Sequence, residues 1–350
     1  MRVLLADPAA FTPQYDHALA TALADAGAEV RLVTSPFRFG DVPEPVNYRR
    51  EELFYPLSSH LFRRSTWRLP LKAIEHPLGL ARLARLPADV VHVQWLAAPQ
   101  LDDRLLRLRA PAVFTAHDLL PRRSASRRKV WRRLLARFPW IVVHTTRGRD
   151  LLVEFGVPET RLRVIPHPVF PSDPPRVDDG GTLLCLGVIR PYKGLGDAIE
   201  VAKRLGTRLV VAGDPMEPIA RYRDAAGPNA EWRLGYLPEA ELDLALGEAT
   251  LALFPYRAEL DQSGALLRAL GAGVPSVVYD VGGLADPVRA YGAGRVVPAG
   301  DVEALTAAVS DLLGDPAALA EARAGAQRAR EELTWEASAA AHLELYREIA

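Results

Sequence analysis

The chain has 350 residues, 49% hydrophobic and 25% charged, with 43 cationic against 43 acidic side chains. Such a chain is globular and long enough for two domains with their own cores. Its zero net charge argues against a dedicated nucleic-acid binder, and a single cysteine, Cys185, excludes internal disulfides and thiolate metal clusters.

The start "MRVLLADP" has too short an apolar run for a signal peptide, and no stretch approaches the roughly 18 apolar residues of a membrane span. A cytoplasmic protein is expected. Short apolar runs at 2–7, 29–34, 89–95, 112–117, 140–144 and 163–166 read as buried parallel strands. Helical patterns separate them, such as "YDHALATALADAG" at 15–27, whose Leu and Ala recur three and four apart up to Gly27. "HPVFPSDPPRVDDGG" at 167–181 is dense in Pro, Asp and Gly and has no periodicity, a linker signal. The rhythm then resumes, with strands at 182–187, 208–213, 250–256, 276–280 and 295–298 and a helix at 301–314. Beyond 314 the pattern is helical to the end. The expected fold class is α/β: two Rossmann-like, doubly wound parallel-sheet domains. Their bounds are 1–166 and 182–333, with a hinge at 167–181 and a final helix at 334–350 packing back on the first domain. Ligands of open α/β sheets bind beyond the carboxyl ends of the strands, so a cleft between the two domains is the default site.

"CLGVIRPYKGLGDAIEVAKRL" at 185–205 is the most informative stretch. A strand ends at Gly187, the loop carries Arg190 and Lys193, and a helix starts near Gly194. Two cations beside a helix N-terminus favour an anion. Lys193 is one of only four lysines in the chain. The alternative is an ordinary surface loop with solvated charges. After strand 250–256, Asp261, Gln262 and Ser263 precede a second helix, with Ser263 as its N-cap and Gly264 leaving its N–H approachable. Alone, that segment reads equally as a plain Ser cap; beside the Arg–Lys loop, a diphosphate seated between both helix N-termini is favoured. In the first half, "VFTAHDLLPRR" puts His117 and Asp118 just past a strand's carboxyl end, as do His92, His144 and His167 at other strands. No HExxH, CxxC, Gly-x-Ser-x-Gly or P-loop lysine motif is present, so metalloprotease, redox, hydrolase and P-loop chemistries lack support.

In their order, "VHVQW", "VFTAHD", "RVIPHP", "GVIRPYKG", "LVVAG", "GYLP", "PYRAELDQSGALLRALGAGVPSVVYDVGG" and "TWEASAAAHLELY" resemble the retaining GT-B glycosyltransferases of family 4 over nearly the whole length. The resemblance implies transfer of a hexose from a nucleoside-diphosphate sugar with retention of configuration, and no metal or other cofactor. Arg190 and Lys193 would bind the donor diphosphate, and His117 would lie near the transferred sugar. Gly187, Gly213, Tyr236 and the run Asp261, Gln262, Ser263, Gly264 would complete the donor site. Tyr15, Asp16 and Asp118 would face the acceptor, a sugar, lipid-linked or small molecule.

One departure stands out. The family carries two glutamates eight apart, the second holding the ribose diol, and here those positions are Leu260 and Arg268. Glu259 and Asp261 flank the first; Arg268 would join the donor site by pairing with phosphate or with a neighbouring acid. Two rival readings remain: a non-catalytic scaffold or regulatory subunit of the same fold, and a sugar-nucleotide epimerase, for which no suitably spaced carboxylate pair is visible.

A last pattern concerns partners. "PRRSASRRKVWRRLLARF" at 121–138 sets Val130, Trp131, Leu134, Leu135 and Phe138 at helical spacing beside arginines, and "LFRRSTWRLPLKAI" at 61–74 repeats the mixture. Such helices either lie on an anionic membrane surface, here the inner face of the cell membrane, or pack their stripe onto the sheet.

Overall fold

Among the residues described by the computed structural model, 1–61, 65–118, 127–258 and 261–350, thirteen strands form two parallel sheets. The first holds β1 (Arg2–Asp7), β2 (Glu29–Thr34), β3 (Arg49–Glu52), β4 (Val90–Val93), β5 (Ala112–Thr115), β6 (Trp140–Val143) and β7 (Leu162–Val164), in the order β3-β2-β1-β4-β5-β6-β7. The second holds β8 (Leu183–Leu186), β9 (Leu209–Gly213), β10 (Ala230–Leu234), β11 (Leu251–Phe254), β12 (Ser276–Tyr279) and β13 (Gly294–Val297), in the order β10-β9-β8-β11-β12-β13. Strand order reverses between β1 and β4 in one sheet and between β8 and β11 in the other. These are the two switch points, where open α/β sheets bind ligands.

Most of the apolar runs became interior strands, and those at 163–166 and 295–298 became the edge strands β7 and β13. Every residue of β4, β5, β11 and β12 is buried, as a parallel sheet covered by helices on both faces requires. Two strands escape the sequence reading, β3 ("RREE") and β10 ("AEWRL"), and both are edge strands with no fully buried residue. An edge strand is paired on one side only, so its sequence need not be apolar.

The chain divides into two compact units, Met1–His167 with Trp335–Ala350, and Pro168–Thr334. In the first, the closing helix Trp335–Arg347 buries Tyr346 and His342, and the Tyr346 hydroxyl lies 2.6 Å from His92 Nδ1. In the second, the Pro-rich segment expected to act as a hinge is tied down from Pro168 onward. Val169 N–H donates to the Leu333 carbonyl (2.9 Å) and Val177 N–H to that of Gly247 (3.0 Å), while Asp173 pairs with Arg330 (2.6 Å). Gly271 has no side chain because a Cβ there would lie 2.0 Å from the Phe170 carbonyl oxygen.

The basic amphipathic stretch needs a correction. Residues 121–126 lie outside the described residues, but Trp131, Leu134, Leu135 and Phe138 are all buried in the first core. Arg133 of the same helix is ion-paired with Asp103, and Arg128 lies over the Phe155 ring at 4.6 Å. The stripe on helix Arg128–Leu135 is core, not a membrane face, because its apolar side chains are already packed against the first unit's interior. No helix of the described residues is long and apolar enough to cross a membrane.

Candidate functional site

The second unit builds an anion seat at its switch point. β8 and β11 are paired neighbours, so the loops that follow them touch: Arg257 N–H donates to the Tyr192 carbonyl at 2.7 Å. Gly194 (φ 68°) allows that contact, since a Cβ there would fall 1.9 Å from the Pro255 oxygen. Gly187 (φ 101°) does the same for the lysine: a Cβ would sit 3.0 Å from Lys193 Nζ and 3.3 Å from the Ala265 Cβ. The Lys193 ammonium thus lies over bare backbone, beside the first turn of helix Gly264–Gly271, and 4.9 Å from the Tyr256 ring centre.

Burial lowers the Lys193 pKa, and nearby Arg190 pushes the same way. Among the described residues Lys193 makes no ion pair, and the buried Nε of Arg190 and Oε1 of Gln262 have no partner. A cation removed from water without a counter-charge is costly, so the arrangement is chemically suited to an anion. Ser263 caps the helix, its Oγ accepting from Leu266 N–H at 3.4 Å and lying 3.2 Å from the Tyr256 hydroxyl, which leaves the N–H of Gly264 in the first turn. Asp261 is buried at the head of this turn. Gly213 ends β9, and its carbonyl accepts from Gly235 N–H at 3.2 Å; Tyr236 follows, half-buried. Glu259 and Leu260 lie outside the described residues.

Arg268 pairs with a neighbouring acid, one of the two roles its sequence position allowed. Its guanidinium pairs with Glu239 through both nitrogens, one at 3.1 Å, and lies 5.2 Å from the Phe170 ring centre. Two residues that sequence reasoning missed thus matter here. Glu239 opens helix Glu239–Glu248 just after "GYLP". Asp197, in the first turn of helix Leu195–Leu205, takes Arg257 (3.0 Å) and the Tyr279 hydroxyl (3.0 Å) and so braces the loop after β11. An acid in a helix's first turn was the available signal for both.

In the first unit, His117 follows β5 and sits in a ring of aromatics. Trp95 stacks on it at 5.3 Å between centres and Tyr15 meets it edge-on at 4.6 Å. His144 Nε2 lies 3.2 Å from His117 Nδ1, and the other His117 nitrogen lies 2.8 Å from the Gln94 side chain. Burial pushes the pKa of His144 down to about 4 and that of His117 well below the usual imidazole range, helped by the neighbouring histidines. Tyr15 and Asp16, read as acceptor-side residues, are both buried. Tyr15 packs among His117, His144, His167 and Trp335. Burial, with the neighbouring Asp7 charge, raises the Asp16 pKa well above the usual carboxylate range. Asp7 in turn accepts from Phe11 N–H (2.6 Å) and Thr12 N–H (3.1 Å), shaping the turn after β1. Asp118 is half-buried, next to residues 119–126, which lie outside the described residues.

This architecture is the GT-B fold. Anabaena HepE, solved with UDP and glucose, superimposes with a TM-score of 0.74 at 13% identity, covering 99% of this chain and 100% of that one. The family model described as Glycosyltransferase Family 4 matches residues 14–173, and that described as Glycosyl transferases group 1 matches residues 180–315. A glycogen synthase of Mycobacterium tuberculosis is 34% identical over 173 residues, 47% of this chain and 42% of its own length. An exopolysaccharide phosphotransferase of Streptomyces coelicolor is 31% identical over 274 residues, 68% of this chain and 29% of its own length. The chain therefore spans less than half the length of these two curated relatives, and both halves of it match glycosyltransferase families.

Proposed function

We propose that this protein transfers a hexose from a nucleoside-diphosphate sugar to an acceptor with retention of anomeric configuration. The observation that carries the reading is the combination of Lys193 and Arg190, with no carboxylate partner for Lys193 among the described residues, with the capped N-terminus of helix Gly264–Gly271. Two cations and oriented amides at a switch point suit a diphosphate leaving group, whose charge grows as the glycosidic bond breaks. They perform the neutralisation that a metal performs elsewhere, so the reading needs none. HepE, with UDP and glucose in its structure, supports this choice of donor class.

On this reading Arg268 acts through Glu239. It holds the carboxylate at the start of helix Glu239–Glu248, where an acceptor of hydrogen bonds suits the ribose hydroxyls. His117 serves the sugar undergoing transfer. The membrane partner, if the acceptor is lipid-linked, rests on a different helix from the arginine-rich one. On Arg68–Leu83 and the turns before it, Leu57, Trp67, Leu69, Ile74 and Leu78 are 56–75% exposed. Arg82 and Arg85 lie exposed at its end, and its one carboxylate, Glu75, is turned inward to accept from Leu57 and Ser58 N–H. Exposed apolar side chains with a Trp and arginines, and no exposed acid on this helix, suit an anionic lipid surface.

The deciding experiment incubates the protein with UDP-, GDP- and ADP-hexoses and a panel of sugar and lipid-linked acceptors, then reads the product's anomeric configuration by NMR. A product of inverted configuration, or no nucleotide release from any donor, would overturn the reading.

A further inference from the structure

Four neighbouring strand ends of the first unit are joined by one chain of side-chain contacts. After β4 comes Gln94, after β5 His117, after β6 His144, and after β7 the carbonyl of Ile165. Gln94 lies 2.8 Å from His117 Nε2, His117 Nδ1 lies 3.2 Å from His144 Nε2, and His144 Nδ1 lies 3.0 Å from the Ile165 oxygen.

Counting hydrogens fixes the direction of this chain. Three contacts need three hydrogens, and two neutral imidazoles carry two. The Ile165 oxygen accepts only, so His144 donates from Nδ1 and its Nε2 is a bare acceptor. His117 must then donate from Nδ1, which leaves its own Nε2 bare. The third hydrogen comes either from an imidazolium or from the Gln94 amide. Burial lowers the pKa of both rings, and at His117 repulsion from the neighbouring histidines adds to the fall, which disfavours the imidazolium. The donor facing His117 is therefore the Gln94 nitrogen, exchanged with the oxygen by a half-turn of the amide; in the opposite orientation that buried nitrogen has no partner. Trp95 and Tyr15 brace the His117 ring from other sides, so the ring itself does not turn to satisfy a different pattern.

We infer that His144 is a positioning residue: it fixes His117 with its proton on Nδ1, so that Nε2 presents a lone pair able to accept from a substrate hydroxyl in place of Gln94. The functional half of this inference rests on the transfer reading above; the protonation half rests on the contact geometry together with the burial of both rings. A carbonyl-anchored second histidine is the kind of outer partner that sets tautomer and orientation.

The test reads the ring nitrogens of 15N-labelled full-length protein by long-range proton–nitrogen NMR at neutral pH. The wild type should show His117 protonated on Nδ1 alone. His144→Leu, which removes the acceptor, should return His117 to the Nε2–H form. His144→Gln sets an amide oxygen where Nε2 stood and should keep the Nδ1–H form. Transfer should fall at least about tenfold in the leucine variant and recover in the glutamine variant, with nucleotide binding unchanged in both. A wild-type His117 carrying its proton on Nε2, or on both nitrogens, overturns the inference, as does an unchanged tautomer in the leucine variant. Should no donor be turned over by the wild type, the transfer reading fails while the spectrum still decides the tautomer.

Discussion

Arg268 and Glu239 form a two-pronged ion pair between helix Gly264–Gly271 and the start of helix Glu239–Glu248. The position where a carboxylate was expected holds a cation, and the cation has brought a carboxylate from the neighbouring helix. If Glu239 accepts from ribose hydroxyls, Glu239→Gln should weaken nucleoside-diphosphate binding about tenfold and leave the 2′-deoxy analogue's affinity unchanged. Calorimetric titration of both ligands checks this. Equal losses for the two would assign the pair a purely structural role.

Lys193 and Lys203 provide an internal comparison. Lys193 sits over Gly187 beside the first turn of helix Gly264–Gly271, without an ion pair among the described residues, whereas Lys203 lies exposed on helix Leu195–Leu205. Losing a charge-assisted contact to a phosphate costs about 1.5–3 kcal/mol, roughly tenfold to a hundredfold in turnover. Lys193→Ala should show that loss and Lys203→Ala should be close to wild type. Indistinguishable rates for the two variants would remove Lys193 from the site.

For membrane contact, the two basic stretches now separate. Co-sedimentation with phosphatidylglycerol vesicles at low salt should pull down the wild type, and added salt should release part of it. Ile74→Glu with Leu78→Glu should abolish binding, because both side chains are exposed on one helix. Reversing Arg127 and Arg128 to Glu should change it little, since that helix buries its apolar stripe. A wild type that stays in the supernatant points to a soluble acceptor.

Acid should destabilise the first unit. His144 and His342 are held neutral by burial, with pKa values of about 4 in the folded protein, against roughly 6.5 unfolded. Between those values the unfolded chain binds the extra proton, so stability falls as pH falls, by about 1.4 kcal/mol per pH unit for each group. Asp16 works in the opposite sense, its folded pKa being raised, and offsets part of the loss. Urea midpoints measured from pH 7 to pH 5 should decline, and His342→Leu should flatten the decline. A midpoint independent of pH would mean these rings are not buried.

Much of this protein was written in one dimension. Wholly buried parallel strands such as β4 and β11 must be apolar throughout, so their positions and the doubly wound class were legible without coordinates. The Gly187, Arg190, Lys193 loop was legible too, since a strand end, two cations and a helix start lie within a dozen residues. Whatever depends on partners distant in sequence was not. The charged edge strands β3 and β10 are strands only because a neighbour pairs with them. The stripe of Trp131 and Leu134 has the same spacing whether it meets lipid or sheet, and only the packed core shows that it meets the sheet. Nor could spacing reveal that Arg268 finds Glu239 from 29 residues away, or that His117 and His144 meet across neighbouring strand ends 27 residues apart. Local propensity and hydrophobic period are properties of a segment; an ion pair, a tautomer and a buried face are properties of the company that the fold brings to it.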